Sequence, residues 1–447
     1  MVLADIDRYD QSRNAQIDGR AIILGASMAG LAAAKVVSDV FDEVAVIERD
    51  PLPDVPATRD GAPQTSHPHV LLEAGRTTLE DFFPGFSEDV IRSGGLMVDA
   101  ATEMEYYENG GFFADGPNHL PMLCASRALF EHVVRQHVRE LPNVELLDNC
   151  RFYDYLYTSE NGVTGVRYRD GTGNKKTLSA ALVVDATGRT SRTPDWLDEN
   201  GFEAPDVEEV SINVTYSTIR LDRPSDNRTV LFVPPSPPRK RGVAAIPIED
   251  GQWEFILQGI HGDDAPTDCP AFIEFANSIP VDEAGQLPRE RDWVSDEIHH
   301  YPFPSSIRRR YDELEEFPDG LVVTGDAIAS FNPVYGQGMS VGSLDALLLH
   351  HLLAETGLDE FALTYFSRTA AVIQQAWQIA VVADFAFPMT TGPKPLGTDL
   401  LNWYINRLIR SAHADGELMD AFYRVFRLEK SATSLFRPGV VRRVLQP

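Results

Sequence analysis

Short apolar runs that stop at a polar or glycine turn recur along this chain. Residues 21–24, 44–47, 181–184 and 321–324 are too short for helices and do not alternate, which predicts strands buried on both faces, as in a parallel sheet. Residues 31–40 follow the first run with helical spacing, so residues 21–47 read strand, turn, helix, strand. Residues 128–141 predict another helix, and Leu344, Leu347, Leu348 and Leu352 mark one after the last run. Between residues 207 and 304 the pattern changes. Runs at 212–219, 230–233, 243–248 and 253–257 predict antiparallel strands, with a proline-rich loop at 234–238 and a helix at 270–279. Asp170-Gly171-Thr172-Gly173 predicts a hairpin turn between 165–168 and 177–179. From residue 360 onward the spacing is helical, over 361–384, 400–411 and 418–428.

Two of the strand ends carry candidate chemistry. Residues 25–30, GASMAG, follow the first strand and open the first helix, and Glu48-Arg49 ends the second strand. In a dinucleotide-binding unit Gly25 makes the tight turn, Gly30 lets helix and strand approach, the pyrophosphate sits on the helix N-terminus, and Glu48 takes the ribose hydroxyls. Ser27 stands where the usual pattern has its middle glycine, adding a Cβ but also a hydroxyl able to donate to phosphate. The candidate contacts here are Gly25, Ala26, Ser27, Met28, Ala29, Gly30, Glu48 and Arg49. The second end is Gly325-Asp326, followed by Asn332-Pro333 and Gly336-Gln337-Gly338-Met339 before a helix. A helix start with bare glycine amides is an anion site, carrying about half a positive charge. The competing reading is a strand–turn–helix crossover with no ligand.

GDAIASFNPVYGQGMS resembles the second FAD-binding motif of the para-hydroxybenzoate-hydroxylase-like (class A) flavoprotein monooxygenases. The resemblance implies an α/β fold with an FAD-binding, Rossmann-type (glutathione-reductase-like) domain, an antiparallel β-sheet substrate domain and a C-terminal helical segment. It implies that Asp326 hydrogen-bonds the ribityl hydroxyls, with Gly325 beside it among the cofactor contacts, and that Pro333, Gly336, Gln337, Gly338 and Met339 lie against the isoalloxazine. Arg59 occupies the place of a cofactor-contacting arginine, and Gln64, His67, His69, Leu71 and Leu72 resemble one monooxygenase subgroup. His67 and His69 also have a spacing that permits a metal, but no third ligand is evident; packing or a place near the flavin are the other readings. Ser126-Arg127 resembles the segment that reaches the ribityl or phosphate, and the backbone near Phe152 aligns with the adenine site. Asp185-Ala186-Thr187-Gly188-Arg189 resembles a further cofactor segment, giving Asp185 and Gly188. Ala186 and Thr187 intervene before the glycine, as in geranylgeranyl-reductase-like and halogenase-like flavoproteins.

The implied division is a loose polar tail (1–18), the FAD domain in three parts (19–85, 120–203 and 306–355), a substrate-side insertion (86–119), the β-sheet domain (204–305) and the helical segment (356–447). The implied function is an FAD-dependent monooxygenase, hydroxylating or epoxidising a small hydrophobic organic molecule with O2 through a flavin C4a-hydroperoxide. NAD(P)H would visit only to reduce the flavin, since no second glycine fingerprint exists for it. The alternatives are a reductase or dehydrogenase of an isoprenoid-like chain, and a flavin-binding protein without turnover. No individual catalytic residue is singled out, because the cofactor carries the hard step.

Composition narrows the setting. The 447 residues carry 39 basic and 67 acidic side chains, a formal charge of −28, and only six of the basic residues are lysine. That excludes nucleic acid as a partner and suggests the surface of a protein adapted to high salt. Three widely spaced cysteines and a polar N-terminus fit a reducing cytoplasm. No run is long enough to span a bilayer. Leu400, Trp403, Tyr404, Leu408 and Ile409 form an amphipathic face for which core packing, not a membrane surface, is the expectation.

Overall fold

The computed structural model describes residues 1–13 and 16–446. Its central sheet is parallel and built from β1 (Ile17–Leu24), β2 (Phe41–Ile47), β3 (Val144–Leu147), β4 (Leu182–Asp185) and β5 (Leu321–Val323), in spatial order β5-β4-β1-β2-β3. Each predicted run lies within or beside one of these strands. The register places Ile23 between Val46 and Val184, and all three are fully buried. Two-sided burial is why these strands read as unbroken apolar runs.

Helices pack against this sheet, and a three-stranded antiparallel sheet of Arg151–Thr158, Gly162–Arg169 and Lys175–Ser179 packs against β4. α1 (Met28–Ser38) joins β1 to β2, α2 (Arg127–Arg139) leads into β3, and α3 (Gly338–Thr356) and α4 (Phe361–Asp384) follow β5. α1 buries Ala32, Ala33 and Ala34, and it packs so closely on α3 that a Cβ added to Gly342 would lie 3.0 Å from the Ala29 Cβ. α2 begins well because Ser126 accepts a hydrogen bond from the Leu129 amide, a side-chain N-cap.

Above the carboxyl ends of the parallel strands lies an eight-stranded sheet. Its centre is Val207–Asp222, paired antiparallel on one side with Gln252–Ile260 and on the other with His299–Arg309; Tyr216 sits opposite both Gln258 and Tyr301. Ile219, Leu221, Trp253, Phe255 and Leu257 face helices Cys269–Asn277 and Asp282–Glu290. The second of these helices was not foreseen: Gly285 and Pro288 within it are breakers by sequence, and it is held by the packing of its buried Ala284. The opposite face, with Tyr216, Ile246, Ile256, Ile260 and Phe303, shares a core with Tyr404, Leu408, Met419 and Tyr423 of the C-terminal helices. Those helices include α5 (Thr398–Ala412) and Gly416–Phe426, close to the predicted 400–411 and 418–428. Leu408 and Ile409 of the amphipathic face are buried, while Leu400 and Trp403 stay exposed.

The insertion at 86–119 reaches the upper sheet, where Met104–Glu108 pairs parallel with Val230–Val233. The N-terminal segment is not the loose tail expected over residues 1–18. Val2 is 1 % exposed and Ile6 is buried against the main core, and the Leu3 amide donates to Leu428 O at 3.0 Å. Tyr9 packs on Phe82 and accepts from the Lys35 ammonium at 3.1 Å. Burial of apolar Val2 and Ile6 offsets the entropy of ordering a segment whose composition is polar. Residues 14–15 of that stretch lie outside the described residues. Among the described residues no helix is long and apolar enough to cross a membrane.

Candidate cofactor and active site

Three segments meet at the carboxyl ends of β1, β4 and β5, and glycine makes the meeting sterically feasible. Gly25 ends β1 at φ 101°, and a Cβ there would lie 2.6 Å from Ala186 O in the turn after β4. A Cβ on Gly30 would lie 1.9 Å from Gly25 O, and one on Gly325, at φ 62°, 2.8 Å from the Ala29 Cβ. The turn at 25–30 is thus pressed between the ends of β4 and β5. No side chain caps the first amides of α1, since Ser27 makes no capping bond. Those amides form the anion-binding end expected of such a turn.

Ser27 is engaged elsewhere. Its Oγ accepts from Arg127 Nη2 at 2.7 Å and donates to Glu131 Oε2 at 3.0 Å. Glu131 is 3 % exposed at its side chain and is the hub of a buried charge cluster. Arg59 reaches it through Nε at 2.8 Å and Nη2 at 2.7 Å, Arg127 at 3.3 Å and Arg135 at 3.6 Å. Burial alone would raise the Glu131 pKa, but Arg127, Arg59 and Arg135 outweigh it and hold the carboxyl below its ordinary range. Arg59 also contacts Glu48 at 3.3 Å and Asp50 at 3.2 Å. Glu48 in turn accepts from the amides of Ala26 at 2.8 Å and Asp50 at 3.0 Å, tying the end of β2 to the glycine turn. The Cys150 amide donates to Glu48 O at 2.8 Å, which brings the backbone two residues before Phe152 to the same end.

The second half of the site lies along β5 and α3. Asp326 is solvent-exposed, yet burial among surrounding atoms raises its pKa against the pull of Arg127 and Arg189. A side chain both surrounded and wetted sits on the floor of a cleft. Gly338 and Pro333 are likewise exposed in the middle of the molecule, and a Cβ on Gly338 would stand 3.7 Å from Asp326 Oδ1. Asn332 starts a short turn, Pro333–Tyr335, that ends in Gly336 at φ 64°, where α3 begins with the Gly338 amide. Buried Gln337 leaves its Oε1 without a partner, and Met339 is buried beneath the helix start.

The histidine pair borders this cleft. His67 Nδ1 lies 2.8 Å from Thr218 Oγ1 and its ring 5.7 Å from that of Tyr301. His69 Nδ1 lies 2.8 Å from His67 O. Burial, with neighbouring His299 and His300, lowers His67 to about 4; burial, with the Arg127 charge, lowers His69 to about 3. Both rings are therefore neutral near pH 7. Among the described residues no three His, Cys, Asp or Glu side chains gather as a metal site.

Not every predicted contact is free to hold a ligand. Asp185 is committed to its own turn: Oδ1 accepts from the Thr187 amide and hydroxyl at 2.9 and 2.6 Å, and Oδ2 from Ser191 and Thr193 hydroxyls at 2.5 Å each. Four donors saturate a carboxylate, so Asp185 shapes the turn that carries Gly188 instead of reaching a cofactor. Arg49 is exposed and donates to Gly61 O at 3.0 Å, away from the glycine turn. Phe152 packs on Tyr155, ring centroids 4.8 Å apart. Two residues were missed. Glu131 was detectable from Arg127, Glu131 and Arg135 at four-residue spacing on one helix face. Arg189, directly after Gly188, stacks 4.9 Å from the Phe303 ring, donates to Ser305 Oγ at 2.9 Å and leaves Nη1 unpartnered.

A dinucleotide fits these residues. The glycine turn offers uncapped amides, Arg127 leaves its buried Nε without a partner, and Asp326, Pro333 and Gly338 stay exposed. The family described as FAD binding domain matches residues 90–380. Protein Rv3254 of Mycobacterium tuberculosis is 30% identical over 425 residues, 91% of this chain and 89% of that protein. Squalene monooxygenase 1,2 of Brassica napus is 24% identical over 347 residues, 75% of this chain and 61% of its own length. A crystal structure of a flavoprotein/dehydrogenase from Cytophaga hutchinsonii superposes with a TM-score of 0.67 at 15% identity, covering 96% of each chain, a likeness of fold.

Proposed function

Because this chain belongs to the FAD-binding domain family and its cofactor is FAD, we propose that it is a monooxygenase placing one oxygen atom from O2 on an apolar organic molecule, with NAD(P)H as a visiting reductant. Bound FAD supplies the acceptance of hydride and the activation of O2. The chain's own residues bind, orient and exclude water. The first amides of α1, with Arg59 and Arg127, would hold the pyrophosphate; Glu48 would take the adenosine ribose and Asp326 the ribityl hydroxyls. Pro333 and the amide start of α3 would lie at the ring edge, where the helix end would favour the negative charge of the reduced state.

The observation that carries the proposal is the apolar face the upper sheet turns toward the Asn332 turn. Ile246, Ile256 and Phe303 share that face with Tyr216, whose hydroxyl donates to Asn332 Oδ1 at 3.1 Å, while Asp326 nearby in the chain stays exposed. An apolar wall over the flavin suits a hydrocarbon skeleton and keeps bulk water from the reacting atoms. The squalene monooxygenase likeness agrees with an apolar substrate. The test is NAD(P)H oxidation in high salt across phenols, quinones and polyenes, with mass spectrometry for a gained oxygen atom. Substrate-dependent O2 uptake with that product supports the reading; turnover that reduces substrate under anaerobic conditions transfers the site to a reductase. The spacing of Asp185, Ala186, Thr187 and Gly188 favours that second reading.

A further inference from the structure

Behind the Asn332–Gly336 turn lies a buried carboxyl group that touches none of the cofactor-binding residues of the glycine turn. Asp384 is the last residue of α4 and is 0 % exposed. Its Oδ1 accepts two hydrogen bonds, from Asn332 Nδ2 at 2.9 Å and from the Tyr335 hydroxyl at 3.1 Å. These donors flank Pro333 and Val334, so one oxygen grips the turn at both ends. Asn332 is held further: its Oδ1 accepts from the Tyr216 hydroxyl at 3.1 Å and the Val334 amide at 3.2 Å, and its own amide donates to Ser306 Oγ at 3.0 Å. Asp384 O accepts from Thr390 Oγ1 at 2.6 Å, and His261 Nε2 stands 3.2 Å from that hydroxyl. Asp384 Oδ2, by contrast, is buried with no partner.

We propose that Asp384 is a positioning residue for the flavin: it clamps the Asn332–Gly336 turn against the ring and sets the charge behind it by holding or releasing one proton at Oδ2. Oδ1 already receives two donors, so the proton of the neutral acid resides on Oδ2, and both clamp bonds persist in either state. Burial raises the carboxyl while the Asn332 and Tyr335 bonds lower it, leaving it at about 7. The neighbouring groups are Tyr335 on the turn, Tyr216 on the upper sheet, Glu108 opposite Tyr335, and His261 through Thr390. Burial raises both tyrosines and Glu108 and lowers His261. Above its pKa, Asp384 places a negative charge directly behind the turn and disfavours the added charge of the reduced ring; below it, that opposition is gone.

The proposal rests on FAD sitting in this cleft and not on oxygen insertion, so it is read on the flavin itself. The midpoint potential of bound FAD is measured from pH 6 to 8 in the wild type and in Asp384→Asn, which retains an oxygen for the clamp but cannot ionise. The expected result is a potential more positive in the variant at pH 8 and equal to wild type at pH 6. Asp345, which burial raises to about 8, is common to both proteins and cancels in the difference; His67 and His69 stay neutral throughout. FAD affinity is unchanged in Asp384→Asn and falls roughly tenfold in Asp384→Ala, where the clamp is lost. A potential difference that is absent, or equal at all pH values, overturns the proposal, as does wild-type affinity in a folded Asp384→Ala. If Asp384→Ala does not fold, the pH dependence in Asp384→Asn decides alone. Absence of any oxygenated product, with these flavin signals intact, refutes the monooxygenase reading and leaves this one standing.

Discussion

Replacing Glu131 by glutamine tests whether the buried cluster at the glycine turn is built around an anion. The substitution keeps volume and one acceptor but removes the single negative charge shared by Arg59, Arg127 and Arg135. Breaking a buried ion pair in this way costs about 3–5 kcal/mol, because Arg127 and Arg135 lose their carboxylate, while Arg59 keeps Glu48 and Asp50. Unfolding entropy of roughly 2.1 cal/mol/K per residue makes each kcal/mol worth about 1 °C in a chain of this length, so the apoprotein should melt about 3–5 °C lower. FAD carries a pyrophosphate to the same arginines, so the cofactor should restore more stability to the variant than to the wild type. An ordinary ligand at a hundred times its Kd adds about 2.7 kcal/mol; the excess beyond the wild-type gain is the signal. The pH dependence has a definite sign. Glu131 is held below its unfolded value of about 4.3, so its contribution is present above that pH and lost as the pH falls through the folded pKa. The variant should lack that acid limb. Scanning calorimetry of apo and FAD-loaded proteins measures all of this. Equal melting of the two apoproteins, or an equal gain on adding FAD, would refute the reasoning.

Three further outcomes are expected. Asp326→Ala should weaken FAD binding by about 10- to 100-fold, the worth of charged hydrogen bonds to hydroxyls, in a fluorescence titration, with little loss of apoprotein stability because the side chain is exposed; unchanged affinity would remove Asp326 from the site. Gly25→Ala should abolish FAD retention, since its Cβ would lie 2.6 Å from Ala186 O at a φ of 101°; a yellow protein after gel filtration would contradict that. A net charge of −28 predicts that melting temperature rises as KCl goes from dilute to molar, where the Debye length falls to about 3 Å; a flat curve would dismiss adaptation to salt.

The sequence made some of this site readable and hid the rest for physical reasons. The parallel strands were legible because residues such as Ile22, Ile23, Val183 and Val322 are buried on both faces, and two-sided burial leaves no polar position to blur the run. Gly25, Gly30 and Gly325 were legible because close approach admits no other residue. Asp185 shows where this logic fails. An acid at a strand end is expected at a ligand, but Thr187, Ser191 and Thr193 supply local donors, and which donors a carboxylate takes depends on a turn that spacing does not reveal. The helix Asp282–Glu290 was hidden by Gly285 and Pro288, whose propensity is overridden by packing against its neighbour Cys269–Asn277.

Asp384 makes the same point from the other side. At the end of a long helix, before Phe385 and Phe387, nothing in its local sequence separates it from a solvated cap. Its meaning arises only when α4 returns to the Asn332 turn, 52 residues away in the chain, and buries the carboxyl there. A solvated aspartate would be ionised near pH 7 and indifferent to the cleft. A buried one, pushed to about 7, is only partly ionised there and grips both ends of the turn. Burying such a group costs stability unless its bonds and its proton offset the loss of water, and Oδ2 has no bond to do so. The uncompensated oxygen is therefore a cost that the clamp alone does not require, since a neutral asparagine would keep the acceptor that Asn332 and Tyr335 use. A charge that can be switched behind the turn supplies the reason for keeping it.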